Sequence, residues 1–250
     1  METEGEDFGA PGEKLWRDLG WQPSTHQIWQ LLELQQQLKH WNTQVNLSRL
    51  VDGTDFWVTQ VFDSLWPLRR ELESATCLRY CIDVGTGGGL PGLIAAIALP
   101  GAQLTLVESV GRKTAAIAEI IRSLGLLERV QIRTERVERT GRDPGHRNSY
   151  DLAMARAVAT APVVAEYLIP LLRLSGEAIL FLGHWSETDA RKLADAIIPL
   201  QARLCLTEKQ YLPAGCGLRH QIRLRPLQLC PVGFPRAVGR AVKQPLGVRP

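Results

Sequence analysis

Apolar residues at Ile28, Leu31, Leu34, Leu38 and Trp41 recur at the three-and-four spacing of one helix face. Ser24 and Gln27 precede them in the arrangement of a capping box, so the pattern predicts a helix that opens at Ser24. A second helix is expected from Thr54, with Trp57, Val58, Val61, Phe62 and Leu65 on one face until Pro67 stops it. From Tyr80 the period changes. Short apolar runs over 80–84, 103–107, 130–133, 150–155 and 177–182, with later ones near 202–206 and 219–224, read as strands. Helix candidates over 91–99, 112–124, 160–172 and 187–198 separate them. Strands spaced by helices imply right-handed crossovers. The expected fold is therefore α/β and Rossmann-like: a seven-stranded, mostly parallel sheet with helices on both faces and an N-terminal helical extension. The chain divides into a flexible acidic N-terminus (1–23), the helical extension (24–75), the sheet domain (76–225) and a basic, Pro-rich flexible tail (226–250).

Charge changes this picture at one end. The 250 residues carry a net +3, but residues 201–250 hold nine basic side chains against Glu208 alone, leaving the first 200 residues at −5. Such asymmetry points to an acidic partner such as nucleic acid. The longest charge-free interval, 84–107, contains six Gly and two Pro. Its longest apolar run, the seven residues 93–99, is far short of the roughly 20 needed to cross a bilayer. The acidic start lacks the features of a signal peptide, so no membrane association and a cytoplasmic location are expected. Cys77, Cys81, Cys205, Cys216 and Cys230 form an odd set without a CxxC pair, which suits a reduced compartment, and no metal site is expected. Six of the seven tryptophans lie in the first 66 residues, several on helical stripes, and are expected to pack the core.

The strongest local signal is the run Asp83-Val84-Gly85-Thr86-Gly87-Gly88-Gly89-Leu90-Pro91-Gly92 at the first strand-to-helix turn, where open α/β sheets bind ligands. A dinucleotide fingerprint from Gly85 would need glycine where Leu90 stands. The order Asp-x-Gly-x-Gly-x-Gly instead resembles the S-adenosyl-L-methionine loop of class I methyltransferases. Taken alone, the run is equally a structural turn. Glu108 ends the second strand, 23 residues after Gly85, near the roughly 20-residue offset at which an acid meets ribose hydroxyls. The other reading is an exposed strand-end glutamate. Arg136-Val137-Glu138 follows the third strand, where adenine is usually read, although alone it would be a solvated charge cluster.

Across about residues 24–225 the chain resembles the RsmG (GidB) family, the bacterial small-subunit rRNA guanine-N7 methyltransferases. The blocks that match in order are Trp41-Asn42 with Asn46-Leu47, Asp63-Ser64-Leu65, the glycine loop, 108–113, 136–138, 155–157 and Arg219-His220. The resemblance implies S-adenosyl-L-methionine as cofactor, bound by Asp83, Gly85, Thr86, Gly87, Gly89, Leu90, Glu108, Val137, Glu138 and Arg156. Gly85 and Leu90 would line its methionine side, Glu108 its ribose, and Val137 and Glu138 its adenine. Arg156 is the catalytic candidate, standing at the mouth of the fourth strand to hold a cofactor carboxylate or an RNA phosphate, unless it serves a structural salt bridge. The implied partner is 16S rRNA in the 30S subunit, with its guanine in the 530 loop. RNA contacts are expected at Arg112, Lys113, Arg219, Arg236, Arg240 and Lys243, and the chain is expected to act as a monomer.

Guanine N7 already carries a lone pair, so transfer requires alignment rather than a base. Accordingly the sequence has no Asn-Pro-Pro-Tyr-like tetrapeptide and no Pro-Cys pair. Three positions depart from the family: Gln60 stands where His is common, Leu182 where Lys is common, and Gly88 where Pro is common. A small-molecule methyltransferase, or a non-catalytic ribosome-binding protein on the same fold, are the competing expectations.

Overall fold

The computed structural model describes residues 12–48, 51–53 and 55–247. Helix α1 (Glu13–Leu19) precedes α2 (Thr25–Asn42), whose N-terminus carries the expected capping box between Ser24 and Gln27. The stretch expected to be flexible is thus helical from Glu13. Leu15, Trp16 and Leu19 are buried, and Trp16 meets Trp21 and Trp57 edge-to-face at 5.5 and 6.0 Å. Aromatic pairs of this kind add to simple burial and explain why the segment is held. The second expected helix is a π-helical segment (Asp55–Phe62) that runs into the single turn α3 (Asp63–Leu65), then a 3-10 turn at Trp66–Leu68 and α4 (Arg69–Leu72). Its expected start at Thr54 lies outside the described residues.

The sheet domain follows as β1 (Arg79–Val84), α5 (Gly92–Ala98), β2 (Ala102–Glu108), α6 (Gly111–Ser123), β3 (Val130–Thr134), α7 (Val137–Thr140), β4 (Tyr150–Arg156) and α8 (Ala161–Leu168). Then come β5 (Leu172–Leu182), α9 (Glu187–Ile197), β6 (Ala202–Tyr211), β7 (Leu218–Pro226) and α10 (Arg240–Lys243). The seven strands lie in the order β3-β2-β1-β4-β5-β7-β6. All neighbours pair in parallel except those of β7, which is antiparallel to both β5 and β6. The helix expected over 160–172 ends earlier, at Leu168. A 3-10 turn containing Pro170 follows, because proline cannot donate to the helical ladder, and β5 begins at Leu172.

Alternation along the strands separates two cores. Cys81, Leu104, Leu106, Met154 and Ile179 point to one face, under α2, α5 and α6. Ile82, Val107, Ala153, Ala155 and Leu180 point to the other, under α8 and α9. The helical extension shares the first core, with Leu31, Leu34, Phe56, Phe62 and Leu65 in it. It is also pinned at the foot of the sheet. Arg223, 1% exposed on β7, reaches Glu71 of α4 at 2.8 Å and Glu177 of β5 at 2.7 Å. Burial would raise the Glu177 pKa, but Arg223 and Arg225 outweigh it and hold the carboxyl below its usual range.

The tail expected to be flexible is docked as far as Gly247. Arg147 donates to the carbonyls of Cys230, Pro231 and Phe234, Arg142 donates to Pro235, and Arg236 pairs with buried Glu166 of α8. Cys230 and Ala241 are buried against the second core.

Candidate active site

The glycine loop leaves β1 with the Gly85 and Thr86 amides donating to the Val107 carbonyl of β2, at 2.8 and 3.1 Å. Asp83 holds the loop from below. Its Oδ2 accepts from the Thr86 hydroxyl at 2.6 Å and the Gly92 amide at 2.9 Å. A side chain at position 92 would sit 2.4 Å from Leu106 and 2.8 Å from Asp83, so only glycine lets α5 start this close to the strand. Gly89, at φ +85, is in the left-handed region, and a Cβ there would lie 2.5 Å from Leu93. Asp83 has no exposed surface, and its Oδ1 has no hydrogen-bond partner among the described residues. Burial pushes its carboxyl up to about 6 despite the Thr86 and Gly92 hydrogen bonds.

Beside the loop, Glu108 ends β2. Its two oxygens accept from the amides of Gly87 and Val110, at 3.1 and 2.9 Å, which fixes the carboxylate at the strand end. Glu108 stands where two cavities meet. A cleft of ≈ 960 Å³ spreads from the glycine loop past Arg156 to Gly183, Trp185 and His220. On the other side a slot of ≈ 220 Å³ is walled by Glu135, Arg136, Val137, Val158 and Tyr167.

Of the expected cofactor residues, Gly85, Thr86, Gly87, Leu90, Glu108 and Arg156 line the cleft and Val137 lines the slot. Asp83 and Gly89 support the loop instead of lining it. Glu138 lines neither cavity: it is 1% exposed, and its Oε1 accepts from the Tyr167 hydroxyl at 3.3 Å and the Gly239 amide at 2.9 Å. Its Oε2 accepts no hydrogen bond among the described residues and lies 3.5 Å from Arg136 Nε, so Glu138, expected beside adenine, is a buried group behind the slot wall.

Arg156, at the end of β4, is enclosed by the extension. Nη2 donates to Gln60 Oε1 at 2.5 Å, and Nη1 lies 3.2 Å from Asp63 Oδ2, with Thr59 and Ser64 oxygens at 3.4 and 3.3 Å. Burial lowers its pKa, opposed by Asp63 and then Asp83. Asp63 in turn lies between two guanidiniums, since Arg219 Nε is 3.7 Å from Oδ1. The structural ion pair is therefore real, and Arg156 still lines the cleft. Asp63 and Gln60 join the site without having been expected there; the Asp63-Ser64-Leu65 block was the signal for Asp63, and the departure from His at position 60 the signal for Gln60. Asn42 was missed as well. Its Oδ1 accepts from the Leu47 and Ser48 amides, which presses Leu47 against the glycine loop. A Cβ on Gly88 would come within 3.0 Å of the Leu47 carbonyl oxygen. The Trp41-Asn42 and Asn46-Leu47 blocks thus shape the cleft wall.

Among the expected RNA contacts, Lys113 and Arg219 line the cleft and Arg112 is exposed on α6. Arg240 and Lys243 are exposed on the tail, outside the cleft lining. Arg236 is corrected: its guanidinium is committed to both oxygens of Glu166, at 2.6–3.1 Å, and its exposure is modest. His220, next to Arg219 in the cleft lining, keeps a buried Nδ1 without a partner among the described residues, and burial followed by the neighbouring His184 lowers its pKa. No group of His, Cys, Asp or Glu among the described residues is placed to hold a metal ion. No helix among them is long and apolar enough to cross a membrane.

Comparison with known proteins agrees with this arrangement. Residues 27–210 match the family model described as GidB, rRNA small subunit methyltransferase G. The chain is 58% identical over 240 residues to ribosomal RNA small subunit methyltransferase G of Prochlorococcus marinus (strain MIT 9313), covering 96% of this chain and 97% of that one. It is 59% identical over 242 residues to the protein of that name from Synechococcus sp. (strain WH7803), covering 97% and 95%. Among solved structures, an O-methyltransferase from Bacillus cereus in complex with SAH superposes with a TM-score of 0.57 at 16% identity, covering 78% of this chain and 90% of that one, a likeness of fold. The chain belongs to the rRNA small subunit methyltransferase G family.

Proposed function

We propose that this protein transfers a methyl group from S-adenosyl-L-methionine to N7 of a guanine in the 530 loop of 16S rRNA, with the 30S subunit or its RNA as partner. When bound, the cofactor supplies an electrophilic methyl group on a sulfonium. The observation that carries the reading is the pair of cavities meeting at Glu108. The slot suits a flat base between Val137, Val158 and Tyr167. Glu108 is set to accept hydrogen bonds from two ribose hydroxyls. The orphaned Asp83 oxygen adds a buried negative group beneath the loop, which favours a nearby ammonium. The far part of the cleft, lined by Gly183, Trp185, Arg219 and His220, remains for the nucleotide.

The residues support alignment without proton removal. The carboxylates near the cleft already hold structural partners: Asp63 pairs with Arg156 and Arg219, Glu108 accepts from two amides, Asp83 accepts from the loop through one oxygen, and Asp189 accepts from Ser186 at the helix cap. A nucleophile that already presents a lone pair needs none of them as a base. Arg156 and Asp63 together form a rigid wall, and Arg219 and Lys113 offer donors for a phosphate. Fixing the reacting atoms within such walls is the near-attack contribution to rate.

The test is transfer of label from methyl-tritiated S-adenosylmethionine to unmodified 30S subunits and to naked 16S rRNA. Label recovered as 7-methylguanosine supports the reading. Label found only in small metabolites would favour a small-molecule methyltransferase, and binding without transfer a non-catalytic protein.

A further inference from the structure

Two buried carboxylates of the sheet domain, Glu138 and Glu166, are the sequence neighbours of the slot residues Val137 and Tyr167, and both are partnered by the C-terminal tail. Glu166, in the middle of α8, is 0% exposed, and its oxygens accept from the Arg236 amide and guanidinium. Glu138 is 1% exposed and accepts from the Gly239 amide. A buried charge without compensation is costly, so each carboxylate ties the tail down as firmly as the tail satisfies it. The path between them is also fixed. Arg142 and Arg147 hold the carbonyls of 230–235, Pro235 packs against Gly141, and Gly239 turns the chain into α10 at φ +78.

Glu138 follows directly on Glu135, Arg136 and Val137, which form one wall of the slot beside Glu108. Its second donor, Tyr167, lines that same slot. The tail amide thus fixes the residue that joins the two sides of the slot. From this geometry we infer that residues 236–239 form a strap that positions the adenine end of the cofactor site, in addition to whatever RNA contact the exposed Arg240 and Lys243 make. The inference rests on the methyltransferase reading above. It reassigns the basic tail in part from capturing RNA to shaping the cofactor slot, with Arg236, Gly239 and Glu138 as positioning residues.

The experiment compares the full chain, a chain ending at Val238, and Arg236→Ala in the full chain. S-adenosylhomocysteine and adenosine are titrated calorimetrically into each. The strap predicts at least tenfold weaker binding of both probes to the shortened chain, by a similar factor, and at least threefold weaker binding to Arg236→Ala. Hydrogen exchange should quicken at 135–141 and stay unchanged at the glycine loop, 83–92, which general loosening would not produce. If the shortened chain does not fold by circular dichroism, Arg236→Ala decides. Affinities within twofold of the full chain overturn the strap, as does equally faster exchange in both segments. Failure of the full chain itself to bind either probe would instead remove the methyltransferase reading, and the strap's cofactor role with it.

Discussion

Asp83→Asn separates stability from binding at the centre of the site. The carboxyl is fully buried, and burial raises its pKa from the ordinary 3.8 to about 6. Between those values the folded chain holds a proton that the unfolded chain releases, so stability falls as pH rises from about 4 to about 6 and is level above. At about 1.4 kcal/mol per tenfold change in the proton equilibrium, the ionised carboxylate costs about 3 kcal/mol at pH 7.5. Asparagine keeps an oxygen for Thr86 and Gly92 and carries no charge. The variant is expected to be more stable by about that amount at pH 7.5, a rise in melting temperature of roughly 6–12 °C for a chain of this size. The gain should shrink through pH 6 and vanish by pH 4. Affinity for S-adenosylmethionine should fall at least tenfold, because the buried negative group under the loop is gone. Urea unfolding at pH 4, 5, 6 and 7.5, with calorimetric binding at the last, checks both halves. A variant less stable than the parent at pH 7.5, or offset by the same amount at every pH, would refute the argument by showing that Asp83 carries no burial cost.

Arg156→Ala removes the partner of Asp63 Oδ2 and should lower methyl transfer at least 100-fold in a chain that remains folded; full activity in the transfer assay would take Arg156 out of the site. Glu108→Ala should weaken S-adenosylmethionine binding tenfold or more with little change in RNA affinity, read by parallel calorimetry and filter binding. Gly89→Ala places a Cβ 2.5 Å from Leu93 at φ +85, so cofactor binding is expected to be lost and thermal melting to drop measurably. Arg223→Ala strands Glu71 and leaves Glu177 with Arg225 alone, and should cost about 3–5 kcal/mol in urea unfolding, the usual penalty for breaking a buried pair.

The sequence made visible whatever depends on local period. Strand alternation, the capping box at Ser24 and the tight turn after Asp83 are set by neighbours a few residues apart, and all of them appear in the structure. What it hid depends on distant partners. Arg236 looked like a free cation because its partner Glu166 is 70 residues away and buried, and Glu138 looked exposed because Gly239 covers it from the tail. The N-terminal stretch reads as frayed from its acidic, glycine-containing composition, whereas what holds Trp16 is Trp57, 41 residues further along the chain. The π-helical register at Asp55–Phe62 shares its apolar residues with an ordinary helix, so period alone does not separate the two. The site was half legible. The loop and Glu108 carried a spacing signal, whereas Asp63 becomes part of the site only through two arginines that arrive from β4 and β7.

Methyl transfer to guanine N7 can be mapped to a single nucleotide. After incubation of unmodified 30S subunits with the protein and S-adenosylmethionine, borohydride reduction and aniline cleavage of the 16S rRNA break the chain at 7-methylguanosine. One new break is expected, within the 530 loop, and it should be absent with Arg156→Ala. No new break, or label lodged at another atom or another nucleotide, would contradict that expectation.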